Sequence, residues 1–192
     1  MRSVVVGGTR LSRVYSQQPY NTEALTFREH GPHNRFDHQR PDADGRPQID
    51  KGRGILYAGY DLVCCLGEFF ADSVGVIEVH GTCAAGLDVT SELLLLDLRG
   101  TAALGVGTTQ AIAGVSQRKT TQAWGRYLYE HPDLSDIDGL LYPASNTGRD
   151  AMAVFERAKG KLAVAVDFSL GDPAIDTDLQ LAAHELKMAI VR

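Results

Sequence analysis

The sequence predicts a mixed α+β fold, a β-sheet core flanked by short helices. Two kinds of segment carry this. Short apolar, β-favouring runs recur along the chain: GILYAG at 54–59, VGVIEVH at 74–80, DGLLYP at 138–143 and LAVAVDF at 162–168. Between them lie stretches with helical periodicity, over 61–72, 117–131 and 179–187. The two kinds interleave without strict βα alternation, and no repeat or heptad pattern is present.

Composition bounds the rest. A chain of 192 residues, 44% hydrophobic and 22% charged, fits one domain spanning 1–192 with a real core. A net charge of −5 argues against a general nucleic-acid or anionic-membrane surface. It leaves room for a local arginine cluster that binds a phosphorylated small molecule. Cys64, Cys65 and Cys83 form neither a CxxC pair nor a zinc spacing. Free thiols fit a reducing compartment, so a cytoplasmic location is expected. No run approaches the ~18 apolar residues of a membrane span.

In chain order, VVVGGTR reads as a strand and a glycine turn, without the GxGxxG of a dinucleotide fingerprint. Leu11–Ser16 is a strand, with Arg13 and Tyr15 on one face and Val14 on the other. Residues 17–53 are rich in Pro, Gly, Asp and Arg, and a loop this long is more often functional than idle. Gly54–Gly59 is a strand. Asp61 caps the helix DLVCCLGEFFAD, with Leu62, Leu66 and Phe69 on the apolar face and Cys65 and Glu68 on the other. Gly67 inside this helix costs about 1 kcal/mol and suggests a close approach. Residues 74–80 and 87–98 read as strands, and 99–109 as a glycine-rich surface connection. Helix 117–131 turns Trp124, Leu128 and Tyr127 inward and Arg118, Lys119 and Glu130 outward. Strand 138–143, the polar loop ASNTGRDA, strand 152–158, strand 162–168, helix 179–187 and a final strand MAIVR complete the chain.

The stretch from Arg35 to Glu68 organises the candidate site. An arginine beside an aromatic, a polar loop, a strand with an aromatic, and a short apolar helix with one carboxylate suit an anionic ligand around a central acid. Ser145 sits at the mouth between two apolar strands, a common place for ligand contacts. Taken singly, each residue has a structural reading: solvated helix surface for Glu68, core for Tyr57, turn chemistry for Ser145.

The pieces SRVY at 12–15, NRF at 34–36, ILYAG at 55–59, LGEFF at 66–70, TTQAWG at 120–125, and DGLLYPASN at 138–146 followed by AVFE resemble, in order and spacing, the RES domain. That family is the toxin half of bacterial toxin–antitoxin systems. The resemblance covers nearly the whole chain and implies a fold similar to the ADP-ribosyltransferases. By position, Arg35, Glu68 and Ser145 match the family's arginine, glutamate and serine, and Arg13 and Tyr57 match further pocket positions. Tyr15 and Asn146 join the substrate-binding set; Asn146 stands where the family often carries an arginine. The charged 37–53 loop leaves Arg35, Arg46 and Arg53 as alternatives for reaching the ligand. The resemblance implies cleavage of NAD⁺ by hydrolysis or phosphorolysis. It also implies a helix-turn-helix (Xre-type) antitoxin as partner, no cofactor besides the substrate, and inorganic phosphate as a candidate co-substrate. Transfer of ADP-ribose to a protein and a non-catalytic binding module are the alternatives.

The chemistry fits these residue types. Nicotinamide leaves as a neutral molecule, so no general acid is needed on it. The enzyme must stabilise oxocarbenium-like charge on the ribose, which a fixed carboxylate such as Glu68 suits. Arg13 and Arg35 suit the diphosphate, Tyr57 the flat nicotinamide cation, and Ser145 a ribose or carboxamide oxygen. No metal is called for, and the histidines form no HxxxH or HExxH pattern.

Overall fold

The β-branched and leucine-rich runs become strands, and the glycine- and proline-rich segments become the turns between them. The computed structural model describes residues 1–19, 21–73, 75–114 and 117–192, apart from the side chain of Gln110. The elements begin with β1 (Arg2–Val5), β2 (Arg10–Ser16), β3 (His30–Gly31), β4 (Gln48–Ile49), β5 (Ile55–Gly59) and α1 (Leu62–Phe69). They continue with β6 (Val76–Glu78), β7 (Thr82–Val89), β8 (Leu93–Asp97), α2 (Arg118–Glu130), β9 (Gly139–Pro143) and β10 (Asp150–Phe155). The last are β11 (Leu162–Ser169), α3 (Asp176–Leu186) and β12 (Ala189–Val191).

Eight strands form one sheet in the order β1-β8-β9-β10-β5-β2-β7-β11. Its pairs are antiparallel except β8 with β9. Strand alternation sorts the side chains. Leu56, Leu141, Met152 and Val154 pack on one face, with Leu11 and Leu87. Ile55, Leu140, Ala153 and Phe155 face the other way, under α2 and the loop residue Phe36. Beside that second cluster, α1 and α3 bury Leu66, Phe70 and Leu179 against Val14 and Ala84.

One irregularity decides where a ligand can enter. β2 and β5 are sheet neighbours, yet they pair only at Ser12 opposite Gly59. Past that point the vacated edge of β5 is taken by the loop: Arg28 and Ile55 exchange backbone hydrogen bonds at 2.9 and 3.1 Å. The sheet is thus split at its middle.

Several expectations are corrected. The strand read over 87–98 is two, because the polar residues Thr90–Glu92 turn the chain between β7 and β8. Buried leucines on both sides hid the break. The first half of β7 is TCAAG, whose small residues carry weak strand preference. α1 stops at Phe69, β10 at Phe155, and residues 100–106 and 156–161 wind into 3₁₀ turns. The strand read from Val74 begins at Val76, and Val74 itself lies outside the described residues. On α1, Cys65 is buried at 8% exposure and Phe69 is 40% exposed, the reverse of the expected faces. On α2, Tyr127 is exposed, and Thr121, Gln122, Gly125 and Leu128 are buried.

That rotation of α2 has a cause. Its inner face meets loop backbone, which demands hydrogen bonds and close approach rather than apolar bulk. Gln122 donates from Nε2 to the Asn34 carbonyl at 3.2 Å. A Cβ on Gly125 would lie 2.6 Å from the Phe36 carbonyl oxygen. α2 therefore clamps the segment that carries Arg35. Gly125→Ala is expected to destabilise the protein by about 1–3 kcal/mol through overpacking against rigid backbone. A lowered urea midpoint with an unchanged m-value is the measurement that checks it.

Candidate functional site

The split between β2 and β5 opens into a cleft of about 410 Å³, inside the range of roughly 300–1,000 Å³ typical of small-molecule sites. Arg13, Arg28, Arg35 and Arg118 line it, together with a single carboxylate, Glu68. α1 delivers Glu68 in its last turn, and the β9–β10 loop delivers Ser145 beside it. Glu68 Oε1 accepts from the Ser145 backbone N–H at 3.0 Å and from its hydroxyl at 3.2 Å. The same hydroxyl oxygen accepts from Arg35 Nη2 at 3.3 Å. Arginine, serine and glutamate are thereby joined in one chain of contacts. The helix and loop can come this close because of Gly67, where a Cβ would fall 2.6 Å from Thr147 Cγ2.

Arg35 is set by a buried carboxylate two residues further on. Asp37 has no exposed surface. It accepts from Arg28 Nη2 at 2.7 and 2.9 Å, from the backbone N–H groups of His33 at 2.5 Å and Asn34 at 2.8 Å, and from the Tyr57 hydroxyl at 2.9 Å. Tyr57 in turn accepts from the Phe36 N–H at 3.1 Å. Burial, and Asp37 after it, push the Tyr57 phenol well above its usual range, so it stays a donor. Loop, strand and guanidinium are tied to one group, and the Tyr57 ring is held against the cleft wall.

At the β2 wall, Arg13 is 6% exposed and lines the cleft. Its guanidinium donates to the Thr26 carbonyl at 3.1 Å and lies 5.4 Å from the centre of the Tyr15 ring. Among the described residues no carboxylate lies within ion-pair distance of it. Burial lowers its pKa to about 10, with Arg28 adding repulsion, yet it remains a cation at neutral pH. A buried cation without a carboxylate is costly and favours an anion beside it. Tyr15 donates to both carboxylate oxygens of Asp167, at 2.8 and 2.9 Å, and burial raises its phenol pKa.

The expected residues are thus distributed unevenly. Arg13, Tyr15, Arg35, Tyr57, Glu68 and Ser145 all line the cleft. Asn146 does not: its amide donates to the Gly67 carbonyl at 3.0 Å and pins the serine loop to α1. Of the three loop arginines, Arg35 is the one at the cleft. Arg53 is buried against the His38 carbonyl and paired with Glu130 at 2.5 Å, and Arg46 is an exposed partner of Asp44. Sequence reasoning passed over Arg28, Asp37, Tyr142 and Arg118. Arg118 was expected to face water. It stands in the first turn of α2, lines the cleft and pairs with Asp72. In a loop without periodicity, nothing in the sequence marked Asp37 as buried.

Comparison with known proteins bears on the family and the fold. The RES domain family model matches residues 10–180. A Sinorhizobium fredii protein described as "Probable toxin y4kH" is 29% identical over 91 residues, 47% of this chain and 70% of the relative. The crystal structure of the M. tuberculosis MbcT–MbcA toxin–antitoxin complex contains a chain that superposes with a TM-score of 0.61 at 18% identity, covering 93% of this chain and 92% of that one. At that identity the likeness shows the fold. No helix among the described residues is long and apolar enough to cross a membrane.

Asp37→Ala leaves the Arg28 guanidinium, two backbone donors and the Tyr57 hydroxyl without their acceptor. A loss of about 3–5 kcal/mol is expected, as for other buried pairs broken from one side. Chemical denaturation against the unchanged protein measures it.

Proposed function

The chain belongs to the RES domain family, and we propose that it is the toxin of a bacterial toxin–antitoxin pair that cleaves the nicotinamide–ribose bond of NAD⁺. The observation that supports this most is the joined Glu68–Ser145–Arg35 set on the wall of an arginine-lined cleft.

The reaction breaks the bond between the ribose anomeric carbon and the pyridinium nitrogen. The bonding pair goes to nicotinamide, which leaves neutral, and positive charge develops on the ribose. Glu68 supplies the compensating negative charge, held in place by the Ser145 N–H and hydroxyl rather than by mobile water. Arg13, in need of an anion, and Arg35 and Arg28 bind the diphosphate between them. Tyr57, fixed by Asp37, presents its ring to the flat nicotinamide cation. A water oxygen then bonds to the anomeric carbon and releases its proton to solvent, or an anionic oxygen of inorganic phosphate bonds there with no proton to release. A helix-turn-helix antitoxin covering the cleft mouth keeps the toxin silent. The site of action is the cytoplasm, where the NAD⁺ pool is exposed.

Incubating the protein with NAD⁺ is expected to release nicotinamide. Glu68→Ala should lower that rate by about 10²–10³ while the circular dichroism spectrum stays the same. NAD⁺ left intact after long incubation with folded protein defeats the proposal. Labelled NAD⁺ that marks lysate proteins instead of yielding free ADP-ribose or its phosphate favours transfer to a protein target.

A further inference from the structure

Among the described residues that line the cleft, Tyr142 is a buried phenol whose hydroxyl has no hydrogen-bond partner. Tyr142 lies on β9 three residues before Ser145 and is 3% exposed. Its ring packs 4.8 Å from Phe36, tilted by 58°. Its cross-strand partner on β10 is Ala151, whose small side chain also lines the cleft. Its hydroxyl makes no hydrogen bond to any described residue, and it is not among the groups sealed away from solvent. Among the described residues, the other phenols at this cleft are occupied: Tyr15 by Asp167, Tyr57 by Asp37. A largely buried hydroxyl without a protein partner loses its hydrogen bond to water for nothing in return, unless a ligand supplies a partner.

We propose that Tyr142 is a substrate-contacting residue whose phenolic O–H donates to a ribose hydroxyl at the reacting end of the cleft, the hydroxyl that itself donates to Glu68. This rests on the NAD⁺-cleaving reading of the site. The pairing follows from what each group can do. Glu68 is an acceptor, and it already takes two donors on Oε1. A sugar hydroxyl that donates its hydrogen bond to Glu68 keeps lone pairs that can accept from a donor. Tyr142 supplies one. Burial, with Glu68 next, raises the phenol pKa far above neutral, so the donor is always protonated. The Phe36 contact sets the ring, so the residue that precedes Asp37 also aims this hydroxyl. The pair then discriminates a ribosyl group, with its hydroxyl, from a deoxyribosyl group without it.

The test is Tyr142→Phe in the full chain, which removes one oxygen and keeps the packing against Phe36. The expected result is kcat/KM for NAD⁺ lowered about two- to tenfold, with a melting temperature equal to or above that of the parent, because no protein hydrogen bond is lost. If the parent cleaves NAD⁺ and the variant matches it, this inference fails while the proposed function stands. A variant that is slower but also melts markedly lower makes Tyr142 structural and overturns it too. If the parent binds NAD⁺ without cleaving it, calorimetric affinity replaces the rate: weaker binding by the variant supports the contact, and equal binding overturns it. A parent that neither cleaves nor binds NAD⁺ overturns both readings.

Discussion

A single buried carboxylate holds the site together. Asp37 gathers the Arg28 guanidinium, two loop N–H groups and the Tyr57 hydroxyl around a side chain with no exposed surface. A charge placed so deep is tolerable only when donors surround it. These donors come from three parts of the site: the segment bearing Arg35, the cleft wall at β5, and an arginine of the cleft itself. The energetic demand of one acid therefore becomes a geometric constraint on several functional groups. α2 reinforces it from behind, through Gln122 and the close approach at Gly125.

The second constraint is the incomplete pairing of β2 with β5. A sheet that closed there would continue the register of Ser12 with Gly59, setting Arg13 opposite Ala58 and Val14 opposite Tyr57, and leave no opening. Because the strands diverge after Ser12 and Gly59, backbone from the loop at Arg28 fills part of the gap and the remainder is the cleft. Cations line its walls, and Glu68 joins them where α1 meets the serine loop, within one hydroxyl of Arg35. Arginines together with one carboxylate suit a ligand that carries negative charge and develops positive charge at one centre, which is the charge pattern of the proposed substrate. The Arg118–Asp72 pair lies between the start of α2 and the end of α1.

Much of this was legible before any coordinates. The alternation of β5, β9 and β11, the Asp61 cap and the amphipathic α2 all follow from local pattern, and the elements stand close to where periodicity put them. The glycine in α1 signalled a close contact, and Thr147 makes it. Failures occurred where local pattern and burial part company. TCAAG carries no strand signal of its own and is a strand because it lies between β2 and β11. The face of α2 was misjudged because its partner is polypeptide backbone, so polar and small residues are the ones buried. Asn146 sits beside Ser145 in sequence, yet it turns away to hold α1.

The sequence by itself determined the residue types and their order: one acid on a short helix, arginines on a strand and a loop, a serine between two strands. It also determined the elements that local periodicity and capping specify. The tertiary structure alone decided which arginine of the 35–53 segment reaches the serine that holds the acid, that Asp37 is buried, and that the Tyr142 hydroxyl makes no hydrogen bond to any described residue. The reason is physical. Periodicity reports which face of an element avoids water, whereas these outcomes depend on contacts between residues far apart in the chain, such as Arg35 with Ser145 or Asp37 with Tyr57.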